Sequence, residues 1–316
     1  MTNNEINLVL ASDDNYAQHA AITLMSAYEK CDSEYIINSY ILDGGISETK
    51  KNKIIDSLKQ YKGELRFIAV DTKRFENSYI SFQYTPAIYY RLDLPNVLDN
   101  NIKKCLYVDC DLLFMDDLSK LWTIDLEGKP IGAIEDIGLT TSKKGRAEKK
   151  QSIGLQDDMC YFNSGVVIMD LAKWREEKFA DKALDLAFHK KFVSHDQDIL
   201  NKLFLNNWKQ IDLRWNVIPP VFYLYPKLLF SSKERRRAIQ AKNNIGILHY
   251  AGRYKPWEFA QNAIFNACYY DLLKKSAFKD EKMPQLSKQN IGKNFAKELW
   301  RLRIADCLAR VLGRKV

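Results

Sequence analysis

Glycine-rich phosphate loops are missing from this 316-residue chain. It contains neither G-x-G-x-x-G nor G-x-x-x-x-G-K-[ST], which weakens a dinucleotide-binding or P-loop reading. Its six cysteines (Cys31, Cys105, Cys110, Cys160, Cys268, Cys307) form no C-x-x-C pair and share no zinc-finger spacing with the four histidines. They read as reduced thiols, not as a disulfide framework or a zinc site. No run is long and apolar enough to span a bilayer, and the opening MTNNEINLVLASDD lacks a basic n-region. We therefore expect neither a transmembrane helix nor a signal peptide. Internal repeats and low-complexity segments are also absent. What remains is 46% hydrophobic with a net charge of +8, an ordinary globular composition with enough length for a large α/β domain and an appendage.

The first 135 residues alternate in the βαβ manner. INLVLAS (6–12), YIINSYILD (35–43), ELRFIAV (64–70), CLYVDCDLLF (105–114) and PIGAIED (130–136) read as five successive strands. YAQHAAITLMSAYEKC (16–31) has helical periodicity, and SETKKNKIIDSLKQY (47–61) is an amphipathic helix with Ser47 as N-cap. This pattern predicts a mainly parallel sheet with helices on both faces. Ligands in such sheets bind at the C-terminal ends of strands, where Asp13, Asp109 and Asp136 fall. Farther on, 161–176 reads as a strand with a following helix, 194–204 as a helix N-terminus, 214–226 as loop or edge strand, and 245–257 as a short strand entering a loop.

Charge is concentrated at the end. Residues 286–316 hold Lys288, Lys293, Lys297, Arg301, Arg303, Arg310, Arg314 and Lys315 against only Glu298 and Asp306. On a helical wheel Trp300, Ile304, Cys307, Leu308 and Val311 form one stripe edged by arginines. That is the pattern of an interfacial helix on an anionic bilayer, or of a helix docked on the domain with a solvated basic face. No nucleic-acid motif accompanies the basic residues, so no nucleic-acid partner is expected.

The segment KCLYVDCDLLF (104–114) places Asp109 and Asp111 in apolar surroundings. A buried, unpaired carboxylate costs several kcal/mol or is driven neutral, and a divalent cation is one compensating partner. D-x-D alone says little, because Asp196-Gln197-Asp198 repeats it. HYAGRYKPW (249–257) adds an imidazole able to complete a carboxylate-rich site, with Gly252 allowing close backbone approach and Lys255 offering a point charge to a phosphate.

Together, ASDDNYA (11–17), YRLDLP (90–95), LYVDCDLLF (106–114), YFNSGVVIMDLAKWR (161–175) with DQDILN (196–201), and HYAGRYKPW (249–257) resemble the glycosyltransferase family 8 enzymes. The resemblance extends to the bacterial lipooligosaccharide galactosyl- and glucosyltransferases among them. The resemblance covers roughly residues 5–260 and implies an α/β GT-A nucleotide-diphospho-sugar transferase fold. A catalytic domain would occupy 1–265, its donor half about 1–135 and its acceptor half about 136–265, with a helical basic tail over 266–316. It implies a retaining, UDP-hexose-dependent hexosyltransferase that acts on a glycan or lipid-linked oligosaccharide at the cytoplasmic face of the membrane. Mn²⁺ would be held by Asp109, Asp111 and His249, with Mg²⁺ possible. Asp13, Asn15 and Tyr16 would hold uridine, and Arg91, Cys110 and Asn163 would lie near the donor sugar and phosphates. Gly252 and Lys255 would grip the diphosphate. Asp196, Gln197 and Asp136 would face the reacting sugar as the catalytic set. Gln197, at the position where a double displacement needs its nucleophile, is a poor one, so front-face attack stays open beside it. Ser164 and Arg253 depart from common family variants at positions where sugar choice could change. A UDP-sugar-binding protein without turnover, and a membrane-associated scaffold, are the alternatives.

Overall fold

The computed structural model describes residues 4–75, 78–79, 85–139, 143–222, 231–252, 255–257 and 266–281. The basic stripe over 286–316 and Arg253 lie outside them. A seven-stranded sheet runs in the order β3-β2-β1-β4-β7-β6-β8. Its strands are β1 (Glu5–Ser12), β2 (Ile36–Asp43), β3 (Leu65–Ala69), β4 (Lys104–Val108), β6 (Ile131–Glu135), β7 (Phe162–Asp170) and β8 (Lys209–Ile211). A separate pair joins β5 (Leu112–Phe114) to β9 (Ile247–His249) in antiparallel register. In the large sheet the pairs β1/β2, β2/β3, β1/β4 and β6/β8 are parallel, while β7 runs antiparallel to both β4 and β6.

Side chains alternate across the strands. Leu8, Leu10, Leu106, Val108, Val166 and Ile168 enter one apolar cluster, and Val9, Cys105, Tyr107, Val167 and Met169 enter the other. Helices cover both faces, as the alternating pattern predicts. α1 (Ala17–Glu29) and α2 (Glu48–Leu58) pack against each other, with α1 against the first cluster. After the short α3 (Leu94–Val97) and α4 (Ser119–Trp122) come α5 (Lys143–Ile153), α6 (Leu171–Glu176), α7 (Phe179–His189) and α8 (His195–Phe204). α9 (Ser232–Asn243) and α10 (Asn266–Lys275) complete the helices among the described residues.

One expectation is corrected here. Residues 105–114 do not form one strand: β4 stops at Val108, and β5 belongs to the other sheet. A continuous apolar run gives no sign of where a ladder ends. Ser47 occupies the N-cap of α2 without a side-chain capping bond. Its backbone N–H instead donates to Asp14 Oδ1 at 2.9 Å, and Asp14 also pairs with Lys50.

α1 is alanine-rich, free of glycine and proline, and buried from Ala17 to Ala27, so its few polar groups need partners. Gln18 donates to the Tyr269 hydroxyl of α10 at 3.0 Å, and that hydroxyl meets His19 Nδ1 at 2.6 Å. Trp257 stacks on the His19 ring at 3.6 Å. Burial holds His19 neutral, lowering it from 6.5 to about 3, with Asp111 opposing and Lys255 adding to the shift. The unfolded chain thus binds this proton more readily, and His19 costs stability as pH falls from 6.5 toward about 3. His19→Gln is expected to flatten that part of the acid limb in urea midpoints measured against pH. An unchanged slope would contradict the assignment.

Candidate functional site

The chain leaves the large sheet immediately after Val108, and several backbone groups exposed by that departure are met by groups from elsewhere in the fold. The Asp109 N–H donates to Gly165 O at 2.9 Å, and the Tyr250 N–H to Asp111 O at 2.8 Å. Thr23 Oγ lies 2.8 Å from both Cys110 O and Leu112 O, which share its one proton, and the Phe114 N–H donates to Ser26 Oγ at 3.0 Å. α1 therefore supplies two hydroxyls that complete the turn, because buried backbone polar groups must be paired. The Cys110 thiol donates to Ala11 O at 2.9 Å, tying the turn to the end of β1. The two aspartates converge through this turn, not through a shared strand face.

β5 then pairs with β9 so that Leu112 faces His249. This register carries the imidazole to the acids: Nε2 lies 3.1 Å from Asp111 Oδ1 and 3.8 Å from Asp109 Oδ2. One ligand atom from each of Asp109, Asp111 and His249 falls within 4.8 Å of the others. Two carboxylates and an imidazole form a donor set that suits a divalent cation such as Mn²⁺. Gly165 keeps the space open. A Cβ there would meet His249 Cε1 at 2.4 Å and Asp109 Oδ2 at 2.7 Å.

Cations of the protein surround the acids. Lys255 Nζ donates to Asp111 Oδ2 and, at 2.8 Å, to Tyr250 O. Burial would raise the Asp111 carboxyl, but Lys255 and His249 outweigh it and hold it well below the usual carboxylate range. Arg91 is buried against the Tyr107 ring, 4.3 Å from its centroid. It donates to Ser164 O and Asp109 Oδ1, both at 2.7 Å, and its Nε lies 3.2 Å from Asp196 Oδ2. Burial opposes its charge, yet Asp109 and Asp196 keep Arg91 firmly protonated. Its guanidinium is thus turned toward protein groups and orients the Asp109 carboxylate. Burial pushes Asp196 up to about 6, with Arg91 opposing and Asp109 adding to the rise.

A cavity of about 800 Å³ opens over these groups, at the C-terminal ends of the adjacent parallel strands β1 and β4. Asp13, Tyr16, Arg91, Asp109, Cys110, Asp111, Asn163, Asp196, Gln197, His249, Gly252 and Lys255 all line it. Gly252 has φ 87° and open space where a Cβ would stand, so its backbone is free to approach a ligand. Asn15 is exposed and does not line the cavity. Asp136 lies one layer behind, accepting from Gln197 Nε2 at 3.1 Å and from the Gly138 N–H at 2.9 Å. Burial raises the Asp136 carboxyl despite those bonds. Gln197 Oε1 in turn accepts the Ser164 N–H at 3.1 Å. In the second D-x-D the helix period sends the acids apart. Asp196 reaches the cavity, while Asp198 is buried against Lys149, the Tyr161 hydroxyl and the Ser194 N–H.

Sequence reading passed over Gly165, Thr23, Ser26 and Asn216. A glycine following Asn163-Ser164 in an apolar strand hinted at close approach, and hydroxyls inside the apolar α1 hinted at a backbone partner. Asn216 carried no signal, since it lies in an irregular stretch and acts only through its neighbours.

The sequence profile of Glycosyl transferase family 8 matches residues 7–261. General stress protein A of Bacillus subtilis (strain 168) is 32% identical over 259 residues, covering 80% of this chain and 87% of its own. The lipopolysaccharide 1,2-glucosyltransferase of Escherichia coli (strain K12) is 24% identical over 282 residues, with 87% and 80% covered. Among solved structures, the galactosyltransferase LgtC in complex with donor and acceptor sugar analogs superposes with a TM-score of 0.73. It is 27% identical, over 90% of this chain and all of its own. The architecture is the GT-A fold.

Gly165→Ala is expected to lower divalent-cation affinity at least tenfold, about 1.4 kcal/mol, because its Cβ would displace the imidazole or the carboxylate. Isothermal titration with Mn²⁺, alongside a thermal melt to show that the fold persists, checks this.

Proposed function

Because the chain belongs to glycosyl transferase family 8, we propose that it moves a hexose from a UDP-sugar to a glycan hydroxyl, with the anomeric configuration retained. The observation that carries this reading is the meeting of Asp109, Asp111 and His249 beneath a cavity that Gly252 and Lys255 also line. Galactose is favoured over glucose as the donor sugar, since the likeness to the galactosyltransferase LgtC spans that whole chain at the higher identity. A lipooligosaccharide or another lipid-linked surface glycan is the proposed acceptor. The relatives named for lipopolysaccharide and galactosyl transfer support that class.

Asp109, Asp111 and His249 would hold Mn²⁺, or Mg²⁺ in its place. When bound, the ion supplies Lewis-acid stabilisation of the diphosphate leaving group. Asp13 and Tyr16 would receive the nucleoside, with Asn15 reaching it from the rim. Asp13 Oδ1 already accepts the Tyr16 N–H at 3.0 Å, which leaves its second oxygen for the ligand. Lys255 would meet the negative charge that grows on the β-phosphate, and the Gly252 backbone would pass close beside it. Asn163 and Cys110 would flank the sugar, Asp196 would accept from its hydroxyls, and Arg91 would fix the carboxylates around them.

Gln197 is held at both ends of its amide, by the Ser164 N–H and by Asp136. An amide so engaged is a poor nucleophile, which favours attack on the front face. The acceptor oxygen bonds to the anomeric carbon as the bond to the phosphate oxygen breaks. The electron pair leaves with UDP, whose departing oxygen takes the acceptor's proton. Gln197 and Asp136 would then orient the sugar and the acceptor. We also propose that 1–135 and 136–265 serve as donor and acceptor halves. The basic residues of 286–316 would seat the protein on the anionic cytoplasmic face of the membrane. No described helix is long and apolar enough to cross one.

A screen of UDP-sugars with Mn²⁺, reading UDP release with and without a galactose- or glucose-terminated acceptor, tests the reaction. Asp111→Asn and His249→Ala should each lose about a hundredfold in turnover, ~3 kcal/mol of transition-state stabilisation, and chelation with EDTA should act alike. Near-normal turnover in either variant removes the site from the chemistry. Deleting 286–316 should spare transfer to soluble acceptors and weaken co-sedimentation with anionic vesicles. Unchanged co-sedimentation overturns the membrane part alone.

A further inference from the structure

A backbone N–H can only donate, and one such group fixes the direction of a whole buried chain of hydrogen bonds. The Gly165 N–H lies 2.9 Å from Asn163 Oδ1, so the Asn163 amide must turn its oxygen inward. Its Nδ2 accordingly faces the Asp136 carboxylate at 3.5 Å. Asn216 meets the same Asn163 oxygen at 2.8 Å, and only its NH₂ group can do so. The Asn216 oxygen is thereby left facing His249 Nδ1 at 2.8 Å. An amide oxygen accepts and never donates, so the imidazole proton stands on Nδ1. On the neutral ring Nε2 then presents its lone pair toward Asp111 and Asp109, 3.1 and 3.8 Å away.

We infer that Asn216 is a positioning residue that sets the His249 tautomer, presenting Nε2 as a ready cation ligand. The inference rests on the metal-site reading above. Without Asn216 the acceptors facing the ring would be the two carboxylates at Nε2. The proton would move there, and an N–H would stand where the lone pair is needed. The backbone holds the two residues in place. The Val217 N–H donates to Ile247 O at 2.9 Å, and the His249 N–H returns to Val217 O at 3.0 Å. Asn216 therefore travels with β9, and it is buried. The chain of bonds also links the imidazole to Asp136 and, through its carboxylate, to Gln197. The cation ligands and the groups facing the reacting sugar thus share one hydrogen-bonded frame.

Long-range ¹H–¹⁵N correlation of His249 in the full chain without added metal, at about pH 8.5 where an ordinary imidazole is neutral, reads the tautomer directly. Wild type is expected to carry its proton on Nδ1. Asn216→Leu should shift it to Nε2 and weaken Mn²⁺ binding about 10–100-fold. Asn216→Asp, still an acceptor for Nδ1–H although it loses the NH₂ that meets Asn163 Oδ1, should keep the tautomer and bind Mn²⁺ more tightly than Asn216→Leu. Urea melts accompany each variant. A wild-type ring protonated on Nε2 or on both nitrogens, or an Asn216→Leu ring unchanged from wild type, overturns the inference. So does Asn216→Asp weakening Mn²⁺ as much as Asn216→Leu. Should Asn216→Leu not fold, the wild-type tautomer and the Asn216→Asp affinity decide. The metal reading fails separately, if His249→Ala binds Mn²⁺ as tightly as wild type.

Discussion

The site depends on one event in the backbone, the exit of the chain from its sheet between Val108 and Leu112. Had the apolar run 104–114 continued as a single strand, the pleat would have put both aspartates on one sheet face, against the core. The exit lifts them beyond the end of the sheet, where α1, β7 and the residue after β9 satisfy several of the freed backbone groups. An unmet carbonyl or N–H in so buried a turn would cost about 1–3 kcal/mol. Thr23 and Gly165 are therefore as much a part of the acid pair as the acids themselves.

Electrostatics follows from that geometry. Asp109, Asp111 and Asp196 crowd a small volume, and burial alone would drive protons onto Asp111 and Asp196. Arg91 and Lys255 divide the task of opposing it. Arg91, buried in the cavity wall, binds Asp109 and lies against Asp196, and Lys255, also at the cavity, binds Asp111. The outcomes differ: Asp111 is held strongly acidic, whereas Asp196 is pushed up to about 6. Acids with unlike proton affinity within one cavity suit a reaction in which one group must stay charged while another shares hydrogen bonds with sugar hydroxyls.

Much of this was legible in the residues. Alternating strands and helices specified the sheet, and the D-x-D, the late histidine and the lysine beyond it were recognisable as parts of one pattern. Legibility stopped where the outcome depended on pairing across long distances. Nothing in CLYVDCDLLF marks the point where β4 yields to β5, because both are equally apolar. Ser47 stands at the N-cap of α2, yet its bond to Asp14, across the chain, could not be foreseen. Arg91 lines the cavity, yet its bonds to Ser164 O and Asp109 and its contact with Asp196 had no mark in the sequence. Asn216 is invisible to any spacing rule, for its role is defined by Asn163 and His249 at once.

The pairing of β5 with β9 joins segments roughly 140 residues apart, and closing so long a loop carries an entropic cost that only late-formed contacts can recover. A nascent chain could therefore assemble the β3-β2-β1-β4 part of the sheet well before residue 249 left the ribosome. During that interval it would hold two acids with no imidazole between them. The three-residue donor set would be complete only after β9, the last strand among the described residues, had been made.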